Sequence, residues 1–162
     1  MSSSKPADEA PPAVALLPRY LRSGVRSTHE TVEYLRRRGV ARPEATRAVA
    51  EWRRRGLLDD TACAKLWAEH WARRGYAWAA IRLRLSEKGL DAQAIGHAAS
   101  RPGMASGDDA RARLLVAERA RSGDGRQQRV RLAQLLASRG FDQDLIERVL
   151  DESLGSGHDT DA

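Results

Sequence analysis

The chain has a single cysteine among 162 residues, Cys63, so no disulfide can form within it. Its opening, MSSSKPADEAPPA, has neither the basic start nor the apolar middle of an export signal, and a reducing cytoplasm is the expected location. No apolar run reaches the length of a membrane span. Aromatic residues make up only 5% of the chain, and apolar and polar residues nowhere alternate over a strand's length, so strands are not expected. The absence of a GxxxxGK[ST] loop excludes ATP hydrolysis by the chain itself. Four histidines, His29, His70, His97 and His158, stand far apart, and HETVE at His29 lacks the second histidine of a zinc-protease helix. One cysteine is too few for a structural zinc site. No enzyme activity, cofactor or metal is therefore expected.

What remains is a charged, helical composition. Charged residues make up 31% and apolar residues 41%, as in a water-soluble helical protein. Lys and Arg total 28 against 22 Asp and Glu, a net charge of +6 that favours polyanions or acidic protein surfaces as partners. Lysine occurs only at Lys5, Lys65 and Lys88, so arginine carries the other positive charges. Guanidinium suits bidentate contacts to carboxylate and phosphate, although a codon bias of the source genome explains the excess equally well.

The chain also repeats itself. LRRRGV at Leu35–Val40 returns as LSEKGL at Leu85–Leu90 and as LASRGF at Leu136–Phe141, at intervals of fifty and fifty-one residues. A leucine four positions before a glycine lies on the last turn of an amphipathic helix. The glycine takes the left-handed conformation that ends it, the preceding cation faces the negative helix end, and the following apolar residue folds back. Asp91 and Asp142 can cap the helices that come next, while Pro43 opens the corresponding helix of the first repeat.

Each phrase therefore marks a helix–Gly–helix corner, and a further helix precedes each pair. The predicted helices are 13–21, 28–38 and 43–55; 60–74, 78–88 and 91–100; and 108–121, 126–139 and 143–154. The expected fold is all-α, three tandem three-helix repeats forming an elongated, curved array. The repeats span 13–56, 57–100 and 108–154, with a flexible linker at 101–107 and disordered tails at 1–12 and 155–162. Units of this size are small for a lone core, so neighbours should stack and share apolar surface.

In the middle unit Asp60 is expected to cap the first helix, and Cys63, Trp67, His70 and Trp71 share one helical face. Trp78, Ile81 and Leu85 form an apolar stripe, with Arg82, Arg84 and Lys88 away from it. Packing explains both stripes. Cys63 and His70 would sit about 10 Å apart along the axis, too far for a catalytic pair. Trp52, beside Arg53, is expected to be partly exposed. The remaining candidates are basic clusters near helix ends: Arg36, Arg37 and Arg38; Arg53, Arg54 and Arg55; Arg73 and Arg74; Arg82, Arg84 and Lys88; Arg126, Arg129 and Arg131. Each is explained singly as a solvated helix end complementing the dipole. Together they suggest a basic face for DNA phosphate or an acidic protein surface, led by Arg73, Arg74, Arg82, Arg84 and Lys88.

GLLDD followed by an amphipathic helix, then RRGY, IRLRL and KGL, resembles the RecX family of regulatory proteins. The resemblance is strongest over Arg54–Asp91 and extends through the repeats to about Ala13–Leu154. Cys63 stands where the family usually has an aromatic residue, and Ala77–Trp78 where Gly–Pro is frequent. The resemblance implies an all-helical, elongated array of three-helix repeats, and a monomer is the default expectation. It would bind within the groove of the RecA filament on single-stranded DNA and inhibit filament growth, ATP hydrolysis and strand exchange, with weak direct DNA contact. It also implies a part in regulating DNA repair, recombination and the SOS response. The alternatives are a helix-turn-helix-type DNA-binding protein acting without RecA and a helical scaffold for some other protein.

Overall fold

The computed structural model describes residues 12–120 and 125–155. The expected tails, apart from Pro12 and Gly155, lie outside the described residues, as does Arg121 at the expected end of one helix. Nine helices and no strand are present among the described residues. They are α1 (Ala13–Arg22), α2 (Thr28–Arg37), α3 (Arg42–Arg54), α4 (Asp60–Arg73), α5 (Trp78–Glu87), α6 (Ala92–Ala99), α7 (Asp108–Arg119), α8 (Gly125–Ser138) and α9 (Gln143–Gly155). None is long and apolar enough to cross a membrane.

The repeated phrase folds as one device three times. Gly39, Gly89 and Gly140 have φ of 88°, 72° and 82°. The N–H of the apolar residue after each glycine donates to the carbonyl of the phrase leucine. These bonds run from Val40 to Leu35 at 3.1 Å, Leu90 to Leu85 at 3.2 Å and Phe141 to Leu136 at 3.2 Å. That is the Schellman closure, with its apolar clasp buried in all three copies. Asp91 then accepts from the Ala94 N–H at 2.8 Å, and Asp142 from the Asp144 N–H at 2.9 Å, starting the following helices.

Three apolar clusters result. The first holds Leu17, Leu35, Val40, Ala45, Val49, Trp52 and Leu58. The second holds Cys63, Ala64, Ala68, Ile81, Leu85, Leu90, Ala94, Ala98 and Met104. The third is built from α7, α8 and α9, joined by Ala77 from the middle unit. Trp52, expected to be partly exposed, is only 9% exposed and belongs to the first core. In α4 the fully buried line is Cys63, Ala64 and Ala68, whereas Trp67, His70 and Trp71 lie beside it, half-buried. Small residues on that line let α4 approach α6 closely, and the large rings are displaced to the flank. The segment expected as a flexible linker is tied down: Met104 is buried in the second core, and Arg111 donates to the carbonyls of Gly103 at 2.8 Å and Met104 at 2.7 Å.

The two junctions between units repeat each other. Ser27 Oγ donates to the Lys88 carbonyl at 2.6 Å, and the Ala77 N–H donates to the Arg139 carbonyl at 3.0 Å. The Thr28 N–H donates to Asp60 at 2.8 Å, and the Trp78 N–H to Asp108 at 2.9 Å. Asp60 was expected to cap its own helix; Asp59 does so, accepting from the Ala62 N–H at 3.0 Å. The Asp60 carboxylate instead reaches across the junction and also accepts from Thr28 Oγ1 at 2.6 Å. Lys88 adds an ion pair to Glu30 at 2.8 Å.

The approach is close enough that a methyl on Gly89 would overlap the His29 ring, while one on Gly56, also left-handed at φ +71°, would meet nothing. Gly56→Ala should therefore cost about 1 kcal/mol, the left-handed strain alone, and Gly89→Ala about 2–4 kcal/mol, as read by urea unfolding. Equal losses would show that the junction does not restrict position 89.

Burial alone would raise the Glu30 carboxyl, but hydrogen bonds from Lys88 and the Ser27 N–H, with the charges of Lys88 and Arg26, hold it below its ordinary 4.5. A depressed folded value gives stability above 4.5 that is lost as pH falls through the folded value. Glu30→Gln should lower stability at neutral pH and flatten its decline on acidification. Unfolding measured from neutral pH downward checks this; parallel curves for the two proteins would contradict it.

Candidate functional site

The ten candidate cations divide into some held by rings or carboxylates of the protein and some exposed to solvent. Arg84 and Lys88 turn toward the protein. Arg84 lies over Tyr76 at 4.3 Å and over Trp71 at 5.0 Å, and Lys88 lies over Trp67 at 4.0 Å while pairing with Glu30. Arg74 shares the Trp71 ring at 5.7 Å, and Arg139 of the third unit covers Tyr76 at 4.5 Å. Trp67, His70, Trp71 and Tyr76 thus form an aromatic cluster faced by cations from two units. Each such contact is worth about 0.5–2 kcal/mol, and Arg84 and Lys88 serve first to hold the middle unit together.

The first unit uses some of its cations similarly. Arg36 pairs with Glu33 at 3.0 Å, Arg38 lies over Tyr34 at 5.2 Å, Arg54 pairs with Glu51, and Arg37 is exposed. In the third unit Arg129 pairs with Asp151 at 2.7 Å, while Arg113 and Arg148 share Asp109. Those two guanidiniums, through their hydrogen bonds, hold the Asp109 carboxyl below its ordinary range. Arg53, Arg73 and Arg82 point to solvent, Arg73 with only a 4.0 Å approach to Glu69.

These exposed cations line clefts, which the sequence reading did not foresee. Between α2 and α3 lies a cleft of about 750 Å³ edged by His29, Glu33, Arg42, Arg53 and Arg54. Between α5 and α6 lies one of about 580 Å³ that includes Arg82. Six of the wall positions correspond at a spacing of fifty residues: Thr28 and Trp78, Val32 and Arg82, Glu33 and Leu83, Arg42 and Ala92, Thr46 and Gly96, Val49 and Ala99. The unit junctions form a second related pair. One is lined by Arg22, Gly24 and Leu66, the other by Arg73, Gly75 and Leu114, with Arg74 and Arg119 on its rim. The signal for the first pair was present in the repeat spacing: reading each residue against its partner fifty positions on would have aligned the α2–α3 and α5–α6 walls.

Burial first, then the negative charges of Glu30 and Asp60, push the Cys63 thiol up to about 12, so it stays protonated at neutral pH. Among the described residues no group of three or more His, Cys, Asp or Glu could hold a metal ion. His158 lies outside the described residues.

Residues 108–150, spanning α7 and α8 and most of α9, match the family model for the third three-helix domain of RecX. The crystal structure of RecX from Lactobacillus salivarius is similar with a TM-score of 0.67 at 20% identity, over 86% of this chain and 92% of that one. A crystal structure of regulatory protein RecX is similar with a TM-score of 0.68 at 20% identity, over 86% of this chain and 70% of that one. No curated protein matches the chain. The last unit thus matches the third RecX domain, and the chain shares its fold with the two RecX structures.

Proposed function

We propose that this protein is a non-enzymatic regulator of the RecA recombinase, binding the recombinase–single-stranded DNA filament and restraining its growth, ATP hydrolysis and strand exchange. The observation that carries the reading is the RecX fold over 86% of the chain together with the family match on its third unit. Its physical logic is multivalent. Related clefts recur from unit to unit along one chain, so weak contacts at each add through effective concentration. A ligand of this kind favours a polymer over its free subunits, and it shifts assembly only through differential binding to one filament state. Regulation of recombination, repair and the damage response in the cytoplasm follows from that activity.

The test is a coupled ATPase assay of the cognate recombinase on single-stranded DNA. Substoichiometric protein should suppress hydrolysis, and duplex affinity should stay feeble. Full hydrolysis in the presence of excess protein would overturn the reading. Tight duplex binding with a steep salt dependence and no need for recombinase would replace it with a helix-turn-helix DNA binder.

Within this reading the exposed cations Arg73, Arg74 and Arg82 contact the filament, with Arg53, Arg54 and Arg37 beside them. Glutamate at 73, 74 and 82 together should weaken inhibition about tenfold and cost at most about 2 kcal/mol of stability, most of it from the lost Arg74–Trp71 contact. Lys88→Ala should do the reverse, lowering the unfolding midpoint before it lowers inhibition, because Lys88 bridges Glu30 and Trp67. Titrating ATPase inhibition alongside thermal unfolding separates the two groups; a stable triple variant with full inhibition would remove these arginines from the interface.

A further inference from the structure

The α2–α3 and α5–α6 clefts share a scaffold but not a chemistry. Where the first has Glu33, Arg42 and Thr46, the second has Leu83, Ala92 and Gly96. At these three positions charge and hydrogen-bonding capacity give way to an apolar or absent side chain, in a smaller cleft of about 580 Å³ against about 750 Å³, while position 82 carries an arginine where the first cleft has Val32. Leu83 is 59% exposed on its wall, next to the half-buried Trp78. It shares that concave wall with Leu90 and Ile95.

Gly96 is the sharper signal. It sits inside α6, a helix of only eight residues, where glycine costs about 0.5–1 kcal/mol relative to alanine. The usual reasons for helical glycine are absent: its φ is not positive, and a side chain placed there would meet nothing within 4 Å. The helix gives up stability and gains only an open cleft floor.

We infer that the α5–α6 cleft receives an apolar side chain from a helix of a protein partner, with a carboxylate on that helix meeting Arg82. Charge complementarity selects the occupant. Arg82 stands on the cleft wall with no ion pair among the described residues, in a chain of net charge +6. A volume of about 580 Å³ suits one or two large side chains of a docked helix. A nucleic acid strand would call for more cations than one, and the basic α2–α3 cleft presents them. The inference rests on the reading that the partner is the recombinase filament, and it assigns this cleft to the protein rather than to the DNA.

The experiment measures affinity of the full-length protein for the assembled recombinase filament and for free single-stranded DNA. Wild type is compared with Gly96→Ala, Gly96→Leu and Leu83→Glu, each checked by thermal unfolding. Alanine and leucine both favour the helix, so both position-96 variants should unfold at or above the wild-type temperature. Filament affinity should fall in order of side-chain volume, slightly for alanine and roughly tenfold or more for leucine, with a comparable loss for Leu83→Glu. Affinity for free DNA should not change. A wild-type protein that ignores the filament would overturn the functional reading and the cleft assignment together. Wild-type binding retained by both Gly96→Leu and Leu83→Glu would overturn the cleft assignment alone. Loss of free-DNA affinity in Gly96→Leu would make the occupant a base. Loss of a wild-type dimer in that variant would make it a second copy of the chain. Either outcome rejects a recombinase helix.

Discussion

The array depends on one contact made twice, in which the corner of each unit sits on the open start of the preceding unit's second helix. A helix start exposes N–H groups with no acceptor in their own helix, and a helix end exposes carbonyls with no donor. Here the two deficits meet. Asp60 and Asp108 accept from the N–H groups of Thr28 and Trp78, and the carbonyls of Lys88 and Arg139 accept from Ser27 and Ala77. The geometry requires the backbones to touch, so Gly89 and Gly140 face His29 and Ala80 with no room for a side chain. Glycine at these two positions therefore answers two demands, the left-handed turn and the close approach. At Gly56 only the turn applies.

Much of this was legible in the sequence. The repeated phrase fixed the three corners, since leucine, glycine and the next apolar residue are the parts of a Schellman clasp and their spacing admits little else. The helices followed within a few residues, because caps and breakers flank them. Long-range partners were not legible. The adjacent acids Asp59 and Asp60 both look like caps, and only the position of α2 decides that the second crosses the junction. Trp52 and Trp67 show the same limit: Trp52, expected to be partly exposed, is buried in the first core, while Trp67, which helical spacing put in the core, is left on the flank because the small residues Ala64 and Ala68 draw α4 against α6.

The candidate site was less legible than the fold, for an electrostatic reason. A basic cluster in sequence gives no information about which neighbours neutralise it. Lys88 is covered by Glu30 and Trp67 from two different helices, and Arg129 is matched by Asp151 on α9. Arg84 lies three residues from Ile81 and near enough to Trp71 and Tyr76 to cover their rings. The run of cations at 82, 84 and 88 thus divides into one outward and two inward groups. What distinguishes Arg82 is that neither a ring nor a carboxylate among the described residues covers it, which only the three-dimensional arrangement reveals.

Separate cores joined by polar junctions have a consequence for how such a chain can specialise. Among the described residues only Leu58 and Ala77 cross from one unit into a neighbour's buried apolar cluster, so each core can change with little effect on the next. The junction bonds are directional and use mostly backbone groups, so they hold the register while the outward walls vary. That freedom is visible in the paired clefts, where corresponding positions carry Glu33 or Leu83, Arg42 or Ala92, Thr46 or Gly96 on one scaffold. A repeat with identical clefts would grip a uniform polymer at every step with the same chemistry. A repeat whose clefts differ in charge and polarity is suited to a surface whose chemistry changes along its length.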